Sequence, residues 1–216
     1  MSTVVVYVHG LWLNGWEGVL LRRRLARSLG CETRSFTYSS VSEDLSGNAR
    51  ALAEFLRGIP ADTLHLVGHS MGGLLILELY EGAPNLPPGR IVLLGSPVQG
   101  SRAARNLAAR RIGRRIIGLT AHQALLPQRE RRWLVGRELG VIAGNRPYGF
   151  GRLLGPFGEP SDGTVLVAET RLTGAKQQLT LPASHSGMVY SSLVARQTAA
   201  FLQAGQFDPG LGQILM

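Results

Sequence analysis

The amino-acid sequence predicts an α/β protein with a mostly parallel six-stranded sheet flanked by helices. Short apolar runs alternate with amphipathic helical stretches over most of the chain, the pattern of a parallel sheet covered on both faces. The runs are unbroken, as strands buried on both sides must be. With 216 residues, 44% of them hydrophobic, the chain can bury one core, and it reads as a single domain over residues 1–216.

Val4–Val8 is the first strand, a β-branched and aromatic run. A Gly-containing loop, His9–Trp16, follows it. Trp16–Leu29 then places Leu20, Leu21, Leu25 and Leu29 near helical spacing, with arginines opposite and Gly30 as a stop. Thr33–Tyr38 is the second strand. Asp44–Arg57 is a helix with a Leu45, Ala49, Leu52, Ala53 and Leu56 stripe, ended by Gly58-Ile59-Pro60. Leu64–Val67 is the third strand, Met71–Glu81 a strong helix, Pro84–Gly89 a turn and Ile91–Leu94 the fourth strand. Leu139–Ala143 and Gln177–Leu181 are the fifth and sixth. Gly187–Gln203 closes the pattern as an amphipathic helix, and Gly205–Met216 reads as a loose tail. One stretch breaks the alternation. Ser101–Trp133, between the fourth and fifth strands, reads as basic amphipathic helix in which Leu107, Ala108, Ile112, Ile116 and Leu119 share a face. It is expected to be an insertion or lid.

Composition excludes several classes. The 28 glycines and 11 prolines show no fixed period, so collagen-like and repeat architectures are out. The single cysteine, Cys31, leaves no internal disulfide. Met1–Tyr7 has no basic start before an apolar core, and no run approaches the ~18 residues of a membrane span, so a cytoplasmic protein is expected. The net charge is +9, and its source is local: residues 101–155 hold twelve arginines against Glu130 and Glu138. No stacking aromatic platform accompanies them, so no nucleic-acid partner is expected. A basic helix of this kind suits an anionic membrane surface or a solvated cover over a site.

The chemistry centres on Gly68-His69-Ser70-Met71-Gly72, which fits G-x-S-x-G. An apolar strand enters it and a long helix leaves it. Such a turn strains the backbone at the serine and lifts its Oγ above the sheet, and glycines are needed where side chains would collide. A serine nucleophile needs a base, and the base an orienting acid. Of the five histidines, His9, His65 and His69 precede or adjoin the serine and His122 lies in the insertion. His185, just past the sixth strand, is left as the base. Asp162 is the one aspartate between Ser70 and His185 and is the candidate acid, with Glu159 and the more remote Glu169 as competitors. An oxyanion hole needs two backbone N–H groups. Met71 supplies one. The other comes from the loop after the first strand, where Leu11 is the best donor and Trp12 the second, with the His9 side chain bracing the loop.

These pieces resemble the α/β-hydrolase superfamily, most closely its small bacterial lipases and esterases of the lipase class 2 type. The resemblance rests on Val4–Gly10 (VVVYVHG), Val67–Gly73 (VGHSMGG), Ile91–Gly95 (IVLLG), Asp162 in its DG-x-V context and Thr170–Ser192. It covers the chain apart from the insertion and the tail. It implies a minimal α/β-hydrolase fold and a metal-free, cofactor-free hydrolase with Ser70 as nucleophile, Asp162 as orienting acid, His185 as base, and Leu11 and Met71 as oxyanion donors. The expected reaction is cleavage of a small-molecule or lipid acyl ester, with Trp12, Leu13, Trp16 and His69 as substrate-pocket residues. Thioester or amide hydrolysis or acyl transfer on the same residues is the alternative, as is an idle protein that binds acidic membranes. The smallest such lipases have almost nothing where Ser101–Trp133 stands.

Overall fold

The computed structural model describes residues 2–82, 84–109, 113–127, 130–148, 158–211 and 213–215. The strands are β1 (Thr3–Val8), β2 (Glu32–Phe36), β3 (Thr63–His69), β4 (Ile91–Leu94), β5 (Leu139–Gly144), β6 (Gln177–Leu181) and β7 (Gln213–Leu215). The helices are α1 (Val19–Leu29), α2 (Leu45–Arg57), α3 (Met71–Glu81), α4 (Arg102–Ala108), α5 (Gly113–Leu125) and α6 (Ser192–Ala204). The strands form one sheet in the order β2-β1-β3-β4-β5-β6-β7, parallel except at β6–β7.

Burial on both faces explains the unbroken apolar strands. In β1, Val4, Val6 and Val8 join the core under α2 and α3, while Val5 and Tyr7 join the core under α1 and α6. The two cores together bury more than forty apolar side chains, the main favourable contribution to the fold. β1 lies between β2 and β3, so the sheet order reverses beside it. The crevice at the carboxyl ends of β1 and β3 is therefore the switch point where open α/β sheets place ligands. Both the His9–Gly15 loop and the β3–α3 turn open onto it.

Several elements differ from the sequence reading. Trp16–Gly18 and Ser186–Tyr190 are single 3₁₀ turns ahead of α1 and α6. The loose tail expected from Gly205 is instead a 3₁₀ turn at Pro209–Leu211 followed by β7, which pairs antiparallel with β6 from Thr180 to Gln178. That pairing covers part of an edge that would otherwise present free N–H and C=O groups. The insertion holds two helices. α5 breaks at Gly118 (φ +78°), where a Cβ would lie 2.5 Å from Val41 Cα, so only glycine tolerates the approach. Its buried face is Thr120, Ala121, Ala124 and Leu125, while Leu119, expected on the apolar face, is exposed. Leu107 and Ala108 pack against the core as expected. Arg110, Arg111, Ile112, Arg129 and Arg152 lie outside the described residues, as do the side chains of Arg114, Arg115 and Ile116. Within the insertion the Ser101 N–H donates to the Leu125 carbonyl at 2.8 Å, joining the start of α4 to the end of α5.

Candidate active site

Ser70 sits at the turn between β3 and α3 with φ +55° and ψ −122°, a conformation L-residues rarely adopt. Its N–H donates to the Leu94 carbonyl at 2.8 Å, which ties the strained turn to β4. The turn is as sharp as the sequence requires. A Cβ on Gly68 would fall 2.6 Å from Gly73 Cα, and one on Gly72 would collide with the Val8 and His9 carbonyls. Helix α3 thus starts directly behind the serine.

His185 and Asp162 meet Ser70 at the sheet's carboxyl edge. His185 Nε2 lies 3.0 Å from Ser70 Oγ, and His185 Nδ1 lies 2.7 Å from Asp162 Oδ2. Asp162 is fully buried, and its other oxygen, Oδ1, accepts the N–H groups of Thr164 and Val165 at 2.9 and 2.7 Å. An ionised carboxylate only accepts, so Nδ1 of His185 carries the proton and donates. Nε2 is then the free lone pair that faces the serine hydroxyl. The His185 N–H also donates to the Asp162 carbonyl at 2.9 Å, so backbone and side chain of the pair are held together.

His69, beside the serine, is buried rather than open to solvent, with 2% of its surface exposed. Its Nε2 donates to the His185 carbonyl at 3.1 Å, and the two rings lie 4.9 Å apart. Burial, reinforced by the charge that His185 can carry, pushes the His69 imidazole down to about 3. It stays neutral and steadies the His185 backbone from the strand that leads into Ser70.

The β1 loop comes as close as its sequence allows. A Cβ on Gly10 would stand 3.1 Å from Ser70 Cβ. His9 is fully buried, stacked on Tyr38 at 4.4 Å, with Nδ1 donating to the Gly10 carbonyl at 2.8 Å and Nε2 accepting the Tyr38 N–H at 3.3 Å. Desolvation lowers its pKa, so it too braces the loop as a neutral ring. Trp12 takes φ +60°, and its N–H donates to Ser40 Oγ at 3.2 Å, which removes the second-choice oxyanion donor. Among the described residues the Leu11 and Met71 N–H groups have no protein acceptor; Met71 directly follows Ser70, and Leu11 directly follows Gly10, the loop residue that approaches it.

Trp12, Leu13 and Trp16 stand on this loop but are exposed, at 54%, 38% and 78%, so they form a rim at the mouth. The competing acids are engaged elsewhere. Glu159 pairs with Arg102 at 2.9 Å. Glu169 is buried and accepts the N–H groups of Arg102 and Leu166 at 2.5 and 3.0 Å, holding the start of α4; burial raises its pKa. Sequence reasoning missed Ser40 and Tyr38, because the β2–α2 loop carries no motif and their roles exist only once β1 and β2 pair. A depression of about 420 Å³ between Tyr80, Pro88 and Arg137 lies at the opposite end of the sheet, away from Ser70. No cluster of metal-binding side chains occurs among the described residues.

A family model described as the Alpha/beta hydrolase family matches residues 5–205. No curated protein matches the chain by sequence. Among solved structures, the chain is similar to phospholipase PlaB from Legionella pneumophila, with a TM-score of 0.62 and 19% identity over 79% of this chain and 44% of that one. It therefore spans less than half of that phospholipase. It is also similar to a pyrethroid hydrolase from Sphingobium faniae (TM-score 0.60, 14% identity, 94% and 98% of the two chains). The RedJ thioesterase of prodiginine biosynthesis in Streptomyces coelicolor is a third neighbour (0.57, 16%, 93% and 89%). At these identities the likeness is one of fold.

Proposed function

The chain belongs to the alpha/beta hydrolase family, and from that premise we propose that it is a serine hydrolase that cleaves carboxylic acyl esters through an acyl-enzyme on Ser70. The observation that carries the reading is the continuous hydrogen-bonded chain from Ser70 Oγ through His185 to the buried Asp162 carboxylate.

Ser70 Oγ attacks the ester carbonyl carbon while His185 Nε2 takes the hydroxyl proton. Asp162 accepts from Nδ1 throughout, keeping the ring in the productive tautomer and favouring its cationic form. The carbonyl π electrons move onto oxygen, and the Leu11 and Met71 N–H groups stabilise that oxyanion. The tetrahedral adduct collapses as the C–O bond to the leaving alcohol breaks, and His185 gives its proton to that alcohol. Water then repeats the sequence on the acyl-enzyme: His185 takes its proton, the acid leaves, and Ser70 recovers its hydrogen. Neutral His69 suits this cycle, since a second positive charge beside His185 would oppose the imidazolium.

The substrate is a small-molecule or lipid ester. Trp12, Leu13 and Trp16 line its approach, α5 of the insertion reaches the β2–α2 loop through the Leu119 N–H and the Val41 carbonyl, and Glu169 holds the start of α4. The test is hydrolysis of p-nitrophenyl esters of increasing acyl length by the wild type and by Ser70→Ala, with fluorophosphonate labelling. Activity and label that both vanish in the variant support the reading. Undiminished activity in Ser70→Ala, or no activity and no label in the wild type, refutes it. Added alcohol or amine acceptors then separate hydrolysis from acyl transfer.

A further inference from the structure

The depression at the end of the sheet opposite Ser70 measures about 420 Å³, within the range of small-molecule sites. Three segments far apart in sequence build it. They are Tyr80 near the end of α3, the stretch from Pro84 to Gly89 ahead of β4, and Val135 to Arg137 ahead of β5. A smaller hollow of about 250 Å³ adjoins it across Tyr80 and Val135. The chemistry at Ser70 uses none of these residues.

The acceptors of this wall are already taken. The Leu64 and Pro87 carbonyls accept from the Arg137 guanidinium, the first at 3.1 Å. The Pro88 carbonyl accepts the Leu64 N–H at 2.8 Å, and the Arg137 carbonyl accepts the Trp133 indole N–H at 2.7 Å. The donors are not. Tyr80 is only 7% exposed, yet its hydroxyl finds no acceptor among the described residues. Burial raises its pKa, so the phenol keeps its proton. Arg137 lies over the Tyr80 ring, 5.3 Å from its centroid, and pairs with no described carboxylate. Glu138, next to it in the chain, is engaged by Arg90 and Lys176. The Val135 and Gly136 N–H groups also lack a protein acceptor among the described residues. Glu81 and Glu130 line the smaller hollow, where Glu130 faces Arg132 at 3.5 Å, so the Arg137 side is the positive one. A guanidinium beside a buried phenol, with no carboxylate between them, suits an anion that accepts from both. The remaining lining, Pro84, Pro88 and Val135, is apolar.

We propose that this depression binds a small carboxylate with an apolar body, the carboxylate on Arg137 and the Tyr80 hydroxyl and the body against Pro84, Pro88 and Val135. The site is separate from Ser70 and stands whether or not the hydrolase reading does.

The probe is 2-naphthoate, followed through the indole N–H signal of Trp133 in nitrogen-15-labelled protein. That indole bonds the Arg137 carbonyl, and its ring meets Tyr80 at 5.3 Å, so it reports on this wall. Trp133→Phe assigns the signal. The proposal expects a saturable shift with its half-point below about 1 mM, the affinity that a ligand of this size reaches at ordinary efficiency. 2-Naphthamide has the same shape without the charge, and inorganic phosphate has charge without the apolar body. Each is expected to bind at least about tenfold more weakly. Tyr80→Phe keeps the ring, removes the hydroxyl and should weaken 2-naphthoate about tenfold. Gly136→Phe fills the depression. A Cβ there meets nothing within 4 Å, so the fold accepts it, and binding should vanish. Circular dichroism checks the fold of both variants. A shift that does not saturate, equal binding of the amide or of phosphate, or unchanged binding in Tyr80→Phe overturns the proposal. So does undiminished binding in Gly136→Phe, which would put the probe elsewhere, the Ser70 mouth included.

Discussion

Asp162→Asn tests the proposed mechanism most sharply, because it changes the chemistry of the acid and leaves its shape. The asparagine has two possible orientations. If its oxygen stays where Oδ1 is, it keeps the Thr164 and Val165 N–H bonds, and its NH2 group faces His185 Nδ1. If it flips, the NH2 group meets two buried N–H donors and leaves both unsatisfied, at roughly 1–3 kcal/mol each. The first orientation therefore wins and the fold survives. In it the side chain donates to Nδ1, so the proton of His185 moves to Nε2 and points at Ser70. The base then has no lone pair for the serine hydroxyl, and the cationic ring loses its carboxylate. The expected fall in kcat is ~10³–10⁴, about 4–5.5 kcal/mol of activation free energy. Asp162→Ala, by contrast, strands the two N–H groups and is expected to lower stability by roughly 2–4 kcal/mol as well. Steady-state hydrolysis of a p-nitrophenyl ester and urea denaturation of both variants separate the two effects. An asparagine variant that folds like the wild type yet keeps more than a tenth of its kcat refutes the role given to Asp162.

The strain at Ser70 predicts that Ser70→Gly melts higher than Ser70→Ala. Glycine relaxes φ +55° and gains about 1 kcal/mol, or about 2–4 °C for a chain of this size, measured by calorimetry. Stability should fall in mild acid. Burial holds His65 at about 4 and His69 at about 3, so the unfolded chain binds their protons first as pH drops through 6.5. Their neutral burial is fully compatible with the fold above that pH and opposes it progressively down to about 4 and 3, at about one proton each and roughly 3 kcal/mol per pH unit for the pair. Urea midpoints from pH 7 to 4.5 should show that slope, and His65→Gln should remove about one proton from it. Glu169→Ala removes the carboxylate that accepts the Arg102 and Leu166 N–H groups and is expected to cost roughly 2–4 kcal/mol. Hydrogen exchange should speed up first in α4, and uniform protection there would speak against an anchoring role.

The sequence made legible what local chemistry determines. A continuous apolar strand, a G-x-S-x-G turn and a capped helix are each decided within about ten residues, and β3, Ser70 and α3 fall where their residues require. His185 and Asp162 were also within reach, since chain order narrows them to the loops after β5 and β6. What was hidden depends on approaches between distant segments. Glu159 and Glu169 read as competing acids because nothing near them in sequence shows that Arg102 engages both. The break in α5 is set by Val41, some eighty residues upstream, whose backbone sits where a side chain at residue 118 would need to be. The tail reads as loose because Gly205, Pro209 and Gly210 punctuate it, yet β6 has an open edge that the last residues can pair.

The same logic separates the two oxyanion candidates in the β1 loop. The Leu11 and Trp12 amides both follow Gly10, and the sequence ranks Leu11 first and Trp12 second. The choice falls to Ser40 on a different strand's loop, whose hydroxyl accepts the Trp12 N–H. The left-handed turn at Trp12 belongs to this arrangement, and His9, pinned between Tyr38 and the Gly10 carbonyl, fixes the loop just ahead of it. A donor already bonded to a protein acceptor would have to break that bond to serve a developing oxyanion, whereas an uncommitted one is ready in advance. In the proposed mechanism Leu11 is therefore the donor that the bond on its neighbour leaves available. Ser40→Ala should leave kcat for a soluble ester within about twofold while loosening the tryptophan loop, since it removes a brace and not an oxyanion donor. A hundredfold loss of kcat at unchanged KM would instead assign the transition-state contact to the Trp12 side of the loop.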